Sequence, residues 1–192
     1  MHDQLGRSGD VPRPKGSAVK NNDIDLGTEL MRVDDTDLTV RPITIGDAER
    51  LARLFTRLSP ASVHFRFFSP IVRPPRAALL RLADVDHERR DALVALDGDE
   101  IVAVARYDGR AGSRQAEIAI TVEDAWQHRG VGKRLARRLA ALATERGYET
   151  FVATLLPDNR AALGLVRKLV PDATVRFAGG EYQADMPLVR AS

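Results

Sequence analysis

The chain has 192 residues, enough for one domain with a sizeable core and too few for two enzymatic domains. Its 29 Lys and Arg nearly balance 27 Asp and Glu, and the resulting net charge of +2 gives nucleic acid little long-range attraction. The absence of cysteine excludes disulfides, thiolate catalysis and Cys-type zinc sites. No run is apolar enough for a membrane span or a signal peptide, so the expectation is a cytoplasmic protein with neither nucleic acid nor membrane as partner.

Residues 1–36 are polar, punctuated by Gly and Pro, and are expected to form a flexible tail, with the folded domain spanning 37–192. Alternation of Leu38 and Val40 with polar neighbours predicts a first strand over Asp37–Ile43. A helix follows on the spacing of Leu51, Leu54, Phe55 and Leu58, ended by Pro60, and two short helices are expected at 61–68 and 75–85. Val63, Phe65, Phe67 and Phe68 are assigned to the core, while His64 and Arg66 are candidates to line an acceptor opening. The segment 91–109 reads as a hairpin turning at Asp97-Gly98-Asp99, and 115–124 as a third meander strand. Then come a helix from Val131, a strand at 149–156, a helix from Asn159 and two strands at 173–179 and 181–189. The class is α/β, a mixed and mostly antiparallel central sheet of about seven strands flanked by helices.

On the helix after Gly130, Val131, Leu135, Leu139 and Leu142 share one face, and Arg137 and Arg138 are expected on the solvent side. Gly130 and Gly132 stand where a strand hands over to this helix, a place where free N–H groups and the helix dipole favour an anion. A dinucleotide fingerprint fails because Leu135 stands where its third glycine belongs, and a P-loop fails at Gln127 and Arg134. The hexapeptide Gln127-His128-Arg129-Gly130-Val131-Gly132 resembles motif A of the GNAT acetyltransferase superfamily, and the order of elements from Leu38 to Val189 is similar throughout.

The resemblance implies acetyl-CoA as cosubstrate and no metal. By analogy Gln127, His128, Arg129, Gly130, Val131, Gly132 and Lys133 cradle the pyrophosphate, with Lys133 or Arg134 near the 3'-phosphate. The main chain of Ile120, Thr121 and Val122 pairs with the pantetheine arm, and Asn159 holds its other side. Acetyl transfer to an amine requires deprotonation. A lysine amine of pKa about 10.4 is neutral at pH 7 in about one molecule in 2,500, a cost of about 4.6 kcal/mol. Glu117 shares a strand face with Ala119 and Thr121 and is the candidate general base, whose pKa an apolar surround would lift towards neutrality although a Glu on a strand is often solvent-facing.

The runs 116–132 and 58–68 also look like those of bacterial protein lysine acetyltransferases related to the cyclic-nucleotide-regulated enzymes of mycobacteria, in which the matching Glu is the base. That implies a protein lysine as acceptor, with a small amine as the alternative and a non-catalytic acyl-CoA-binding regulatory module as a third reading; the chain itself is a monomer or a homodimer. Many relatives carry a tyrosine as general acid where this chain has Val166, and Tyr107, Tyr148 and Tyr182 do not match the motif.

Overall fold

The strands predicted from alternation form one sheet covered on both faces. The computed structural model describes residues 27–68 and 74–188. Its eight strands are β1 (Glu29–Val33), β2 (Thr36–Pro42), β3 (Arg90–Asp97), β4 (Glu100–Gly109), β5 (Gln115–Val122), β6 (Thr150–Leu155), β7 (Thr174–Ala178) and β8 (Glu181–Pro187). They lie in the order β1-β2-β3-β4-β5-β6-β8-β7, and every neighbouring pair is antiparallel except β5 and β6. The helices are α1 (Ala48–Arg57), α2 (Pro60–Phe67), α3 (Arg76–Ala83), α4 (Val131–Glu145) and α5 (Arg160–Leu169).

Two cores explain the unbroken apolar runs of β3 and β4, because strands covered on both faces need no polar alternation. Leu93 and Ala95 join the layer that holds α4 and α5, whereas Ala92, Val94 and Leu96 join the layer that holds α1, α2 and α3. In α4 the predicted stripe of Val131, Leu135, Leu139 and Leu142 is buried as a unit. Val63 and Phe67 pack into the α1–α3 layer, Phe67 with its ring 5.2 Å from that of Phe55. Phe68, assigned to the core from sequence, is instead exposed: it ends α2 in a left-handed conformation that turns it out of the helix.

Two further expectations shift. Ordered structure begins before residue 37, since β1 pairs with β2 across a turn at Asp34-Asp35; the part of the expected tail at 1–26 lies outside the described residues. Pro60 does not close the preceding helix but opens α2, with Ser59 as N-cap accepting from the Ser62 N–H at 3.2 Å, as suits a ring that fixes φ and lacks a donor.

Between β2 and α1 the chain turns around Asp47, which is fully buried. Arg41 grips it bidentately, both N···O distances being 2.7 Å, and the Thr44 N–H donates to it at 2.9 Å. Burial alone would raise the carboxyl's pKa; the hydrogen bonds from Arg41 and Thr44 outweigh it and hold Asp47 below the ordinary carboxylate range. A lowered pKa stabilises the fold above the unfolded value of about 3.9, and this stabilisation disappears as pH falls through the folded value. Asp47→Asn is therefore expected to cost about 3 kcal/mol at pH 7 by urea denaturation, with the gap to wild type closing as the pH falls below about 4; a gap independent of pH would contradict the ionised clamp.

Candidate active site

The sheet opens at one place. β5 pairs with β4 along its whole length, but with β6 only where Gln115, Ala116 and Glu117 face Thr150, Phe151 and Val152. β6 then continues with β8 as its partner, through Ala153, Thr154 and Leu155. From Ile118 to Val122 the β6-facing edge of β5 thus has no strand beside it, and a wedge opens with Glu117 at its closed end.

At the open end stands the glycine loop. A 3-10 turn at Asp124–Trp126 leads to Gln127 in extended conformation, His128 at φ 59° and Gly130 at φ 84°. The two glycines serve different needs. Gly130 is the N-cap of α4 and sits in the left-handed region that a side chain disfavours. Gly132 brings its main chain against β5: a Cβ there would lie 3.3 Å from Val122 Cγ2 and 3.7 Å from Ile120 Cγ2. No side chain caps this helix, so its first-turn N–H groups face the loop unclaimed by any capping residue. A diphosphate fits such a cradle, because the amides, the helix dipole and the close glycine approach converge on it.

Side chains fasten the loop from behind. Gln127 Nε2 donates to the Val122 carbonyl at 3.0 Å and to Ser62 Oγ at 3.1 Å, so its amide serves the loop's own geometry. Asp124 accepts from the Ser59 N–H at 2.9 Å and from the hydroxyls of Ser59 and Ser62 at 2.7 and 2.9 Å. Burial would raise the pKa of Asp124, but these hydrogen bonds hold it below its usual range. The N-terminus of α2 and the glycine loop are thereby one hydrogen-bonded unit, which no local sequence pattern announced.

The basic run that leads into α4 is largely engaged within the molecule. Arg129 pairs with Asp34 at 2.6 Å and lies over the Trp126 ring, its Cζ 4.4 Å from the centroid, so this residue offers the loop its main chain. Arg134 donates to the Arg32 carbonyl. Arg138 is not on a solvent face: it pairs with Glu29 at 2.5 Å and donates to the Gly27 carbonyl at 2.8 Å. These three cations dock the β1–β2 hairpin, whose existence the sequence reading did not foresee. Arg137 is exposed as expected, and Lys133 is half-buried at the first turn of α4.

Register places Glu117, Ala119 and Thr121 opposite Asp108, Arg106 and Val104 of β4, so all six share the α1–α3 face. Glu117 is exposed rather than set in an apolar surround, and its charge acts on the guanidinium groups of Arg66 and Arg106. Arg106 escaped the sequence reading; its one signal was a charge inside the apolar run of β4. Asn159 caps α5, its Oδ1 accepting from the Ala162 N–H at 3.0 Å. Val166 is buried in the core, and no hydroxyl stands at that position. Tyr107 lies on the opposite face, donates to the Glu88 carbonyl at 3.1 Å, and has its pKa raised by burial. Tyr148 packs edge-on against Tyr107, and Tyr182 against Phe177.

The model of the Acetyltransferase (GNAT) family matches residues 58–169, from the end of α1 through α5. The chain belongs to this family. It is 34% identical over 149 residues to an acetyltransferase of Pseudomonas aeruginosa, covering 72% of this chain and 80% of that one. It is 33% identical over 134 residues to the acetyltransferase Pat of Mycolicibacterium smegmatis, covering 68% of this chain and only 40% of Pat. Among solved structures, the GNAT domain of S. lividans PAT superposes with a TM-score of 0.78 at 32% identity, over 84% of this chain and 97% of that domain. The matched stretch contains both the wedge and the glycine loop of this acetyltransferase.

Three glycines separate the local requirements. Gly130→Ala is expected to lose about 1 kcal/mol in urea denaturation because of its positive φ. In mid-helix α5, Gly164→Ala has open space around the new methyl and should gain about 0.5–1 kcal/mol. Gly132→Val is expected to displace the loop from β5. Equal effects at Gly130 and Gly164 would show that the left-handed turn is not held in solution.

Proposed function

We propose that this acetyltransferase moves the acetyl group of acetyl-CoA to the side-chain amine of a protein lysine, by direct attack and with Glu117 as general base. The observation that carries the reading is the position of Glu117 at the closed end of a wedge whose open end is the glycine loop. From Glu117 to Val122 the strand spans about 17 Å, comparable with an extended pantetheine arm. A diphosphate held by the amides of Gly130 to Lys133 then directs the arm along the unpaired edge of Ile118–Val122 towards Glu117.

Acetyl-CoA supplies an activated thioester, so the protein's task is to orient the amine and remove its proton. The Glu117 carboxylate, directly or through one water, accepts the proton as nitrogen attacks. The main-chain edge of β5 offers hydrogen bonds to the arm, except for the Val122 carbonyl, which Gln127 already occupies. With Val166 in the place of a tyrosine, the thiol leaves as thiolate; its ordinary pKa of about 8.5 makes that feasible without a side-chain acid. The absence of cysteine from the chain suits a path with no acyl-enzyme. A lysine acceptor is supported by the resemblance of 116–132 and 58–68 to protein lysine acetyltransferases and by the likeness to Pat and to S. lividans PAT.

Glu117→Gln is expected to reduce kcat about 100-fold or more with little change in acetyl-CoA affinity, measured by thiol release on a lysine peptide and by calorimetry. Retained turnover would remove Glu117 from the chemistry. A wild type that binds acetyl-CoA but releases no thiol with any amine would favour the regulatory-module reading. The pH profile of kcat is expected to rise and then level, with no descending limb of the kind that a tyrosine acid with a pKa near 10 would impose; a bell-shaped profile would point to an acid that Val166 cannot supply.

A further inference from the structure

Beside Glu117, on the acceptor side of the sheet, lies a small pocket whose lining includes Phe55, Arg66, Arg106 and Thr121. Its guanidinium groups are poorly paired. Arg66 has no carboxylate within 4 Å among the described residues and stacks on the Phe67 ring, 5.2 Å from its centroid. Arg106 keeps only 13% of its side chain exposed; its nearest carboxylate is that of the half-exposed Asp108, 3.8 Å away, and its contact with the Leu82 carbonyl is 3.3 Å. Thr121 is 5% exposed, and its buried Oγ1 has no hydrogen-bond partner. Buried guanidinium groups and hydroxyls ordinarily find partners, so this cluster is short of an acceptor-rich anion.

Resting on the lysine-acetyltransferase reading above, we infer that Arg66 and Arg106, with Thr121 lining the same pocket, form a subsite for a carboxylate carried by the acceptor close to its reacting amine. The pocket has room for about one water-sized group, so it takes a carboxylate oxygen at its mouth and leaves the amine beside Glu117. Glu117 and Asp108 are the carboxylates on this face, but among the described residues neither comes within 4 Å of Arg66 and Asp108 lies 3.8 Å from Arg106, so an acceptor carboxylate finds open guanidinium donors where a basic neighbour of the lysine meets like charge. Burial, and for Arg66 also the adjacent charge of Arg106, lowers the pKa of both guanidinium groups. The carboxylate comes either from an Asp or Glu next to the target lysine or from the α-carboxylate of a free amino acid.

The test uses the full chain with acetyl-CoA and two substrate sets. One set holds lysine peptides differing only in Glu, Gln or Lys beside the target; the other holds a free diamino acid and its decarboxylated diamine. Rates are read as kcat/KM and, with CoA in place of acetyl-CoA, peptide binding is read by calorimetry. Wild type should favour the carboxylate-bearing member about 10- to 100-fold. Arg106→Gln and Arg66→Gln should bring that ratio close to one, while Arg106→Lys restores part of it. The set showing the preference identifies the source of the carboxylate.

Equal rates and equal binding for charged and neutral members would overturn the subsite, whether or not lysine is acetylated. Charge-selective binding that the Arg variants abolish, without any acetylation, would uphold the subsite and sink the lysine reading instead. Melting temperature and acetyl-CoA affinity report whether each variant is folded; if Arg106→Gln is not, Arg66→Gln, at a half-buried position near the end of α2, decides, and an unchanged ratio there overturns the inference.

Discussion

The approach of Gly132 to β5 is the contact on which the rest of this site depends. Because no Cβ intervenes, the first turn of α4 comes within van der Waals reach of Ile120 and Val122, with Leu165 of α5 closing in from the other side. The same helix turn therefore presents its free amides at the end of the β5 edge that the sheet leaves unpaired in its interior. A strand edge and a helix N-terminus are each common; here they are held together, with Glu117 at the far end of the same strand segment.

The surrounding structure keeps that contact in place from two directions. Behind the loop, Asp124 and Gln127 bind Ser59 and Ser62, so the position of the acceptor-side helix α2 is coupled to that of the cradle through four hydrogen bonds with distances of 2.7–3.1 Å. Arg57 extends the tie, reaching Glu123 at 3.1 Å and Glu100 at 2.6 Å. On the outer side, Arg129, Arg134 and Arg138 hold the β1–β2 hairpin against α4. The charge that first invites a reading as a nucleic-acid patch is thus largely spent within the molecule, and the sequence's near-neutral balance of charges is its overall counterpart.

What sequence showed and what it hid follow from the range of the interactions. The stripe Val131, Leu135, Leu139, Leu142 and the glycine pair are local, and they placed α4 and the turn before it correctly. β1 was invisible because its five residues bury only Met31 and Val33, and its remaining anchors are arginines some hundred residues away. Pro60 signalled a boundary without saying on which side the helix lay; Ser59 and Ser62 show it to be a beginning. Glu117 was singled out by strand parity and family likeness, whereas its nearness to Arg106 and Arg66 was not legible, since Arg106 comes beside it only through the β4–β5 register and Arg66 only through the packing of α2. Phe68 followed the apolar pattern but fell at a left-handed helix end, where periodicity no longer predicts facing.

The central claim, that the amides at the start of α4 and the free edge of β5 receive one extended ligand, is tested most directly by amide NMR. On titration with acetyl-CoA the ¹⁵N–¹H resonances of Gly130, Val131, Gly132 and Lys133 should shift together with those along Ile118–Val122, to the same saturation point. Saturable binding that leaves both groups unmoved, or moves the helix amides without the strand, would contradict the account.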